Sequence, residues 1–183
     1  MSEISERYRR IAAEFTRRVD VVPDEAWDNP TPCAGWVARD VVGHLTAWLP
    51  GFFFGTWDIA AGPIVPVADD PVRAWHAVDD AIQSALDNPE IAKGMRNTPM
   101  GEATFEDTID QICTPDVLVH TWDLARATGL DDTLDAEEVH RFVGGMEAAD
   151  TAMRASGHYG PRIEVPADAD EQTRLIAFVG RQP

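Results

Sequence analysis

The sequence has no run approaching the roughly 20 consecutive apolar residues that a bilayer-spanning helix needs, so a membrane span is not expected. Positive charge is scarce: 15 Lys and Arg stand against 32 Asp and Glu, a formal net charge of −17. An excess of that sign repels phosphate backbones and anionic lipid surfaces, and neither nucleic acid nor a membrane is expected as a partner. Two cysteines, Cys33 and Cys113, are too few for a disulfide framework, and free thiols are the expectation in a reducing compartment. Residues 1–6 carry neither the basic region nor the apolar run of a secretory signal, which points to a cytoplasmic protein. Repeats, low-complexity tracts and linker-like shifts of composition are all missing, which leaves one domain over residues 1–183 as the expected organisation.

What is there suits a packed helical core. The 183 residues include six Trp and seven Phe, and 44% are hydrophobic, enough to bury a sizeable interior without staples. Tyr8, Ile11, Ala12, Phe15 and Val19 recur at helical spacing over residues 4–19, and a second stripe runs through Val37, Val41, His44, Leu45 and Trp48 until Pro50-Gly51. The apolar, Gly- and Pro-rich stretch 52–66 reads as a packed connection. Asp69 or Asp70 before Pro71 starts a third helix, with Val72, Trp75, Val78, Ile82 and Leu86 as its stripe and Asn88-Pro89 as its stop. A polar, Gly-containing loop then leads to a longer helical region from Thr104 to Thr128, ended by Gly129. Pro115 inside it predicts either a kink or a new helix with Thr114 as its N-cap. A further helix from Asp135 to Gly157 and a short one around Leu175, Ile176 and Val179 complete an all-α antiparallel bundle with an additional short C-terminal helix; no alternating strand pattern stands out.

Chemistry concentrates on two of these helices. Asp116 and His120 are four residues apart and share the stripe of Ile109, Ile112 and Leu124, so both point inward. A carboxylate aimed at an apolar interior costs several kcal/mol unless it is paired or coordinated. His44 lies between Val37, Val41 and Trp48 in the same inward register. Taken singly, each His also reads as a core histidine satisfied by a hydrogen bond; the carboxylate between them favours a divalent ion. Two imidazoles and one carboxylate are a set that Zn²⁺ accepts with a fourth position open, and Ni²⁺, Fe²⁺ and Mn²⁺ accept it too.

The segments Trp36-Val37-Ala38-Arg39-Asp40-Val41-Val42-Gly43-His44-Leu45 and Asp116-Val117-Leu118-Val119-His120-Thr121-Trp122-Asp123-Leu124-Ala125-Arg126-Ala127-Thr128-Gly129 resemble motifs of the DinB-like metalloprotein superfamily. More closely, nearly the whole chain resembles the actinobacterial proteins related to the N-terminal domain of mycothiol-dependent maleylpyruvate isomerase. The resemblance implies a four-helix bundle holding a divalent metal, commonly zinc, through His44, Asp116 and His120. It further implies that the metal binds the sulfur of a low-molecular-weight thiol such as mycothiol. Coordination would deprotonate that thiol near neutral pH and make it a nucleophile. No counterpart of the isomerase's additional C-terminal domain is expected, and its specific isomerisation is not carried over. The expected function is therefore that of a metal-dependent enzyme activating a small thiol for S-transfer or isomerisation, as a monomer or homodimer. The alternatives are a metal-dependent hydrolase with the same ligands or a non-catalytic metal sensor or store.

Other candidates surround that set. Asp123 can orient His120 or serve as a general base, and Asp40 can orient His44, unless each instead pairs with Arg126 or Arg39 at the surface. Trp48 and Trp122 read as core aromatics that can also wall a cavity. His76, His140 and His158 have no partner at metal spacing; Cys33 and Cys113 read as buried, inert thiols; and Gly144-Gly145 reads as a place of close helix packing.

Overall fold

The computed structural model describes residues 2–99, 101–157 and 159–183. The first stripe folds as α1 over Glu3–Val19, capped by the Ser2 hydroxyl, which accepts the Ser5 N–H. All five of its stripe residues are fully buried, as a 3.6-residue period dictates when one face meets a core. Helix α2 covers Ala38–Leu49 and α3 covers Pro71–Asp87, which opens with Asp70 as N-cap and Pro71 in the first helical position. Asn88 ends α3 and caps the single turn α4, Pro89–Ala92.

Two widened, π-helical turns revise the expected boundaries. Pro50 does not stop its helix: the chain continues through a π turn over Pro50–Phe54. A second π turn, Ile109–Cys113, joins α5 (Phe105–Thr108) to α6 (Thr114–Thr128) in one helical run. Thr114 is therefore not an N-cap. Its backbone is helical and its N–H reaches back five residues to the Ile109 carbonyl, which also accepts the Thr114 hydroxyl at 3.1 Å. Widening the turn carries the preceding carbonyls away from the Pro115 ring, so the missing amide donor is absorbed without starting a new helix. Gly129 ends α6 at φ 70°, a left-handed conformation that glycine adopts without strain.

The region between α4 and α5, expected to be loop, contains an antiparallel hairpin of β1 (Met95–Thr98) and β2 (Gly101–Thr104), with Met95 opposite Thr104. Neither strand has a buried face, so no apolar alternation announces it; the backbone ladder and the Thr98 hydroxyl on the Gly101 carbonyl close the turn. The molecule is otherwise mostly helical. α1 packs on α3 and α6, and α2 packs on the same two helices, so these four surround the core. No helix is long and apolar enough to cross a membrane, among the described residues.

Helices α7 (Ala136–Ser156) and α8 (Glu171–Phe178) pack on each other beside this group. The start of α7 is tied to α1 by ion pairs from Arg10 to Asp135 and Glu137 and from Arg7 to Glu138. Beyond Val139, Met146 is the one buried α7 residue, and the inner face of the helix looks across open space. Gly144-Gly145 lies on this stretch, and a Cβ at either would meet nothing within 4 Å, so the expected close helix packing is not found there.

Under the core, Asp79 is buried between α1 and α3, where it accepts the Tyr8 hydroxyl at 2.9 Å and the Gln83 amide at 2.8 Å. Burial raises the Asp79 carboxyl above its ordinary value, while these two donors pull the other way. Tyr8→Phe removes one donor and leaves the carboxylate short of a partner. It is expected to destabilise the fold by about 1–3 kcal/mol in urea unfolding, with bound metal content unchanged.

Candidate metal centre

Three side chains predicted to act together do converge. His44, on α2, points its Nε2 at Asp116 Oδ2, 3.2 Å away, and His120, one turn along α6 from Asp116, brings its Nε2 to 3.5 Å from Asp116 Oδ1. One donor atom from each lies within 4.8 Å of those of the other two. Trp48, one turn after His44, donates its indole N–H to Asp116 Oδ2 at 2.9 Å, and Trp36 stacks on the His120 ring at 5.8 Å between centroids. Burial works against the Asp116 charge, but the charge of His120 and hydrogen bonds from His44 and Trp48 outweigh it and hold the carboxyl below the usual range.

Behind this trio lies a second layer. Asp123, fully buried, accepts His120 Nδ1 at 3.0 Å, which fixes the ring and leaves Nε2 turned to Asp116. Arg181, from the chain after α8, donates to both Asp123 oxygens at 3.0 and 3.2 Å, and the Cys33 thiol sits 3.2 Å from Asp123 and 3.1 Å from Arg181. Cys33, His120 and Asp123 thus form a second cluster with ligand-like spacing, but the Arg181 guanidinium occupies the cation's place in it. Burial alone would lower the His120 pKa; the Asp116 charge and the Asp123 hydrogen bond override that and push it up to about 10. Gly180 sets Arg181 in position: its φ is 85°, and an added Cβ would come within 2.9 Å of the Gly160 Cα.

The trio opens onto a cavity of about 1280 Å³ between α6 and α7. Trp36, Trp48 and Phe52 wall the end near His44, so Phe52 in the connection is a lining residue as well as a packing one. Tyr159 also lines the cavity, its phenol pushed up to about 12 by burial and by the Asp116 charge, so it presents a neutral O–H. Such a donor set, two imidazole nitrogens and a carboxylate with one side facing open space, has the chemistry to hold a divalent ion and leave a position for an incoming ligand.

Other expected roles fall elsewhere. Asp40 does not orient His44; it accepts the Val37 N–H and caps α2, while Arg39 pairs with Asp28. Trp122 is buried under Arg126, away from the cavity. His76 pairs with Asp20 and His140 with Glu171 at the surface, and His158 lies outside the described residues. Cys113 is buried as expected, but Cys33 is only half-buried and lines the cavity. Sequence reading missed the part played by Arg181, because nothing near residue 181 carries a motif for an ion pair with Asp123. It also read Trp36 only as the start of a motif.

Residues 8–54 match the family model of the mycothiol maleylpyruvate isomerase N-terminal domain. The matched segment includes His44, Trp36 and Cys33 but stops before α6. Two uncharacterized proteins of Mycobacterium tuberculosis, one from each of two strains, are similar: each is 31% identical over 178 residues, covering 95% of this chain and 95% of its own. No solved structure matches the chain.

Proposed function

We propose, from the premise that this chain belongs to the DinB-like family of actinobacterial proteins related to the mycothiol maleylpyruvate isomerase N-terminal domain, that it is a divalent-metal-dependent enzyme acting on a low-molecular-weight thiol. His44, Asp116 and His120 hold the ion, zinc first and Ni²⁺, Fe²⁺ or Mn²⁺ next, and the reaction is S-transfer or isomerisation of a small-molecule substrate. The observation that carries this reading is the convergence of two imidazole nitrogens and one carboxylate, within 4.8 Å, on the wall of a cavity large enough for a thiol. The ring of α1, α3, α2 and α6 supports reading the frame as a four-helix bundle, with the trio contributed by α2 and α6.

A bound divalent ion supplies Lewis acidity that lowers the pKa of a thiol to neutral pH or below. The chain's own groups do the rest. Asp123 holds the His120 ring through Nδ1, Trp48 keeps Asp116 turned toward the two histidines, and the Tyr159 O–H stands in the cavity as a neutral donor. The hydrolase alternative needs a carboxylate free to take a proton from water. Asp123 does not suit that role: it is fully buried and its oxygens are engaged by His120, Arg181 and Cys33.

Elemental analysis of untagged protein, followed by titration of a cobalt-substituted sample with small thiols, tests the proposal. The expected result is about one ion per chain and a sulfur-to-cobalt charge-transfer band that grows with thiol. Metal without any thiol band would turn the reading to a sensor or store, and no metal after reconstitution would overturn it.

A further inference from the structure

The cavity is larger than one small thiol requires. At about 1280 Å³ it exceeds the roughly 300–1,000 Å³ of ordinary ligand pockets. The metal-site trio occupies one wall, and across from it α7 supplies an apolar wall of Phe142, Met146 and Met153 with Gly145, Ala149 and Ala152 forming a shallow trough. That wall stands at the edge of the core: Met146 belongs to it, Phe142 and Met153 pack against it half-buried, and past Met146 no α7 residue is fully buried.

The charges around the cavity decide what can rest there. Two described arginines line it, Arg141 and Arg181, together with His120, which faces Asp116 and Asp123. Arg141 is held by Glu138 at 2.6 Å and by Asp110 at 3.3 Å, and Asp110 in turn takes Arg7 at 2.6 Å. Arg181 is held by the buried Asp123 at 3.0 Å. Each is already matched by a carboxylate, Asp116 adds negative charge to the lining, and the whole chain carries −17. A carboxylic acid entering this space would lose its water and find no unmatched cation among the described side chains, and an ion already carrying Asp116 and the thiolate would have its two charges balanced. An uncharged apolar molecule would meet aromatic, aliphatic and thioether surface, and the flexible methionines can follow its shape.

From this we infer that the second reactant, the acceptor of the thiol, is an uncharged apolar electrophile seated on α7, not a carboxylic acid. The word acceptor rests on the thiol-transfer reading above; the apolar seat does not. With an activated alkene as acceptor, the thiol sulfur forms a bond to one alkene carbon while the π pair moves to its neighbour. That neighbour takes up the proton the thiol lost, so the addition needs no oxidant or reductant.

The neutral, polarity-sensitive dye N-phenyl-1-naphthylamine probes the seat by fluorescence, both in protein as purified and after chelation. Saturable binding of about one dye per chain is expected in both samples, with no displacement by millimolar fumarate. Ala149→Trp fills the trough and is expected to raise the dye's Kd at least about tenfold, the loss that follows from removing one or two methylene-sized contacts' worth of burial, while circular dichroism stays unchanged. Ala152→Trp, at a more exposed position of the same trough, replaces it should Ala149→Trp fail to fold. Absence of dye binding, equal affinity in the folded variant, or displacement by fumarate would each overturn the inference. Dye binding that survives while metal or thiol binding fails would sink the thiol-transfer reading and leave the apolar seat standing.

Discussion

Replacing His120 by alanine is expected to abolish stoichiometric metal binding, while His140→Ala leaves it unchanged. Both substitutions remove an imidazole that faces a carboxylate, so the comparison isolates position from residue type. His140 stands on the surface against Glu171 at 2.9 Å, outside the trio. His120 supplies a donor nitrogen whose orientation is fixed from behind by Asp123. Losing an outer partner of a metal ligand costs about 10–100-fold in affinity, and losing the ligand itself should cost more. The thermal readout follows by mass action: an ion at about 1,000 times its Kd stabilises the folded state by about 4 kcal/mol. That increment should vanish in His120→Ala, whose melting temperature should no longer respond to added zinc, and persist in His140→Ala. Equal metal content in the two variants would mean that His120 is a core histidine and nothing more.

Much of the frame was legible because local chemistry and burial agree. Asp70 and Asp135 each place an oxygen on the N–H of a helix's first turn, and the stripes of α1 and α3 are the ones that face the core. The trio was legible for the same reason: four-residue spacing on α6 and an inward register on α2 bring His44, Asp116 and His120 onto facing surfaces. Three things were not. A two-stranded hairpin exposed on both faces leaves no apolar alternation to read. A π turn differs from an α turn by one residue, which shifts a helix past Pro115 without any residue type that marks it. The link from Arg181 to Asp123 spans 58 residues and depends on how the chain after α8 returns to α6, information held in tertiary packing and in the Gly160–Gly180 approach.

That link underlies the largest expected effect on stability. Asp123→Ala is expected to destabilise the metal-free protein by about 3–5 kcal/mol, because it leaves the largely buried Arg181 guanidinium without its carboxylate. The same substitution frees the His120 ring, so metal affinity should fall with stability. The effect should depend on pH, and the signs can be assigned. Burial opposes ionisation of Asp123, but His120 and Arg181 hold its folded pKa below the unfolded value, so its contribution is present above the ordinary carboxylate range and is lost as pH falls through it. The His120 pKa is raised to about 10 in the fold, so its contribution is complete below its ordinary value of 6.5 and is lost as pH rises toward 10. In the metal-free protein the cluster therefore stabilises most between about pH 4 and 6.5, and wild type and Asp123→Ala should differ most in that window. Urea unfolding across pH 3–9 measures the difference. Arg181→Ala added to Asp123→Ala should restore part of the loss, since no unmatched charge then remains; purely additive losses would show that the pair is not coupled and that Asp123 acts on His120 alone.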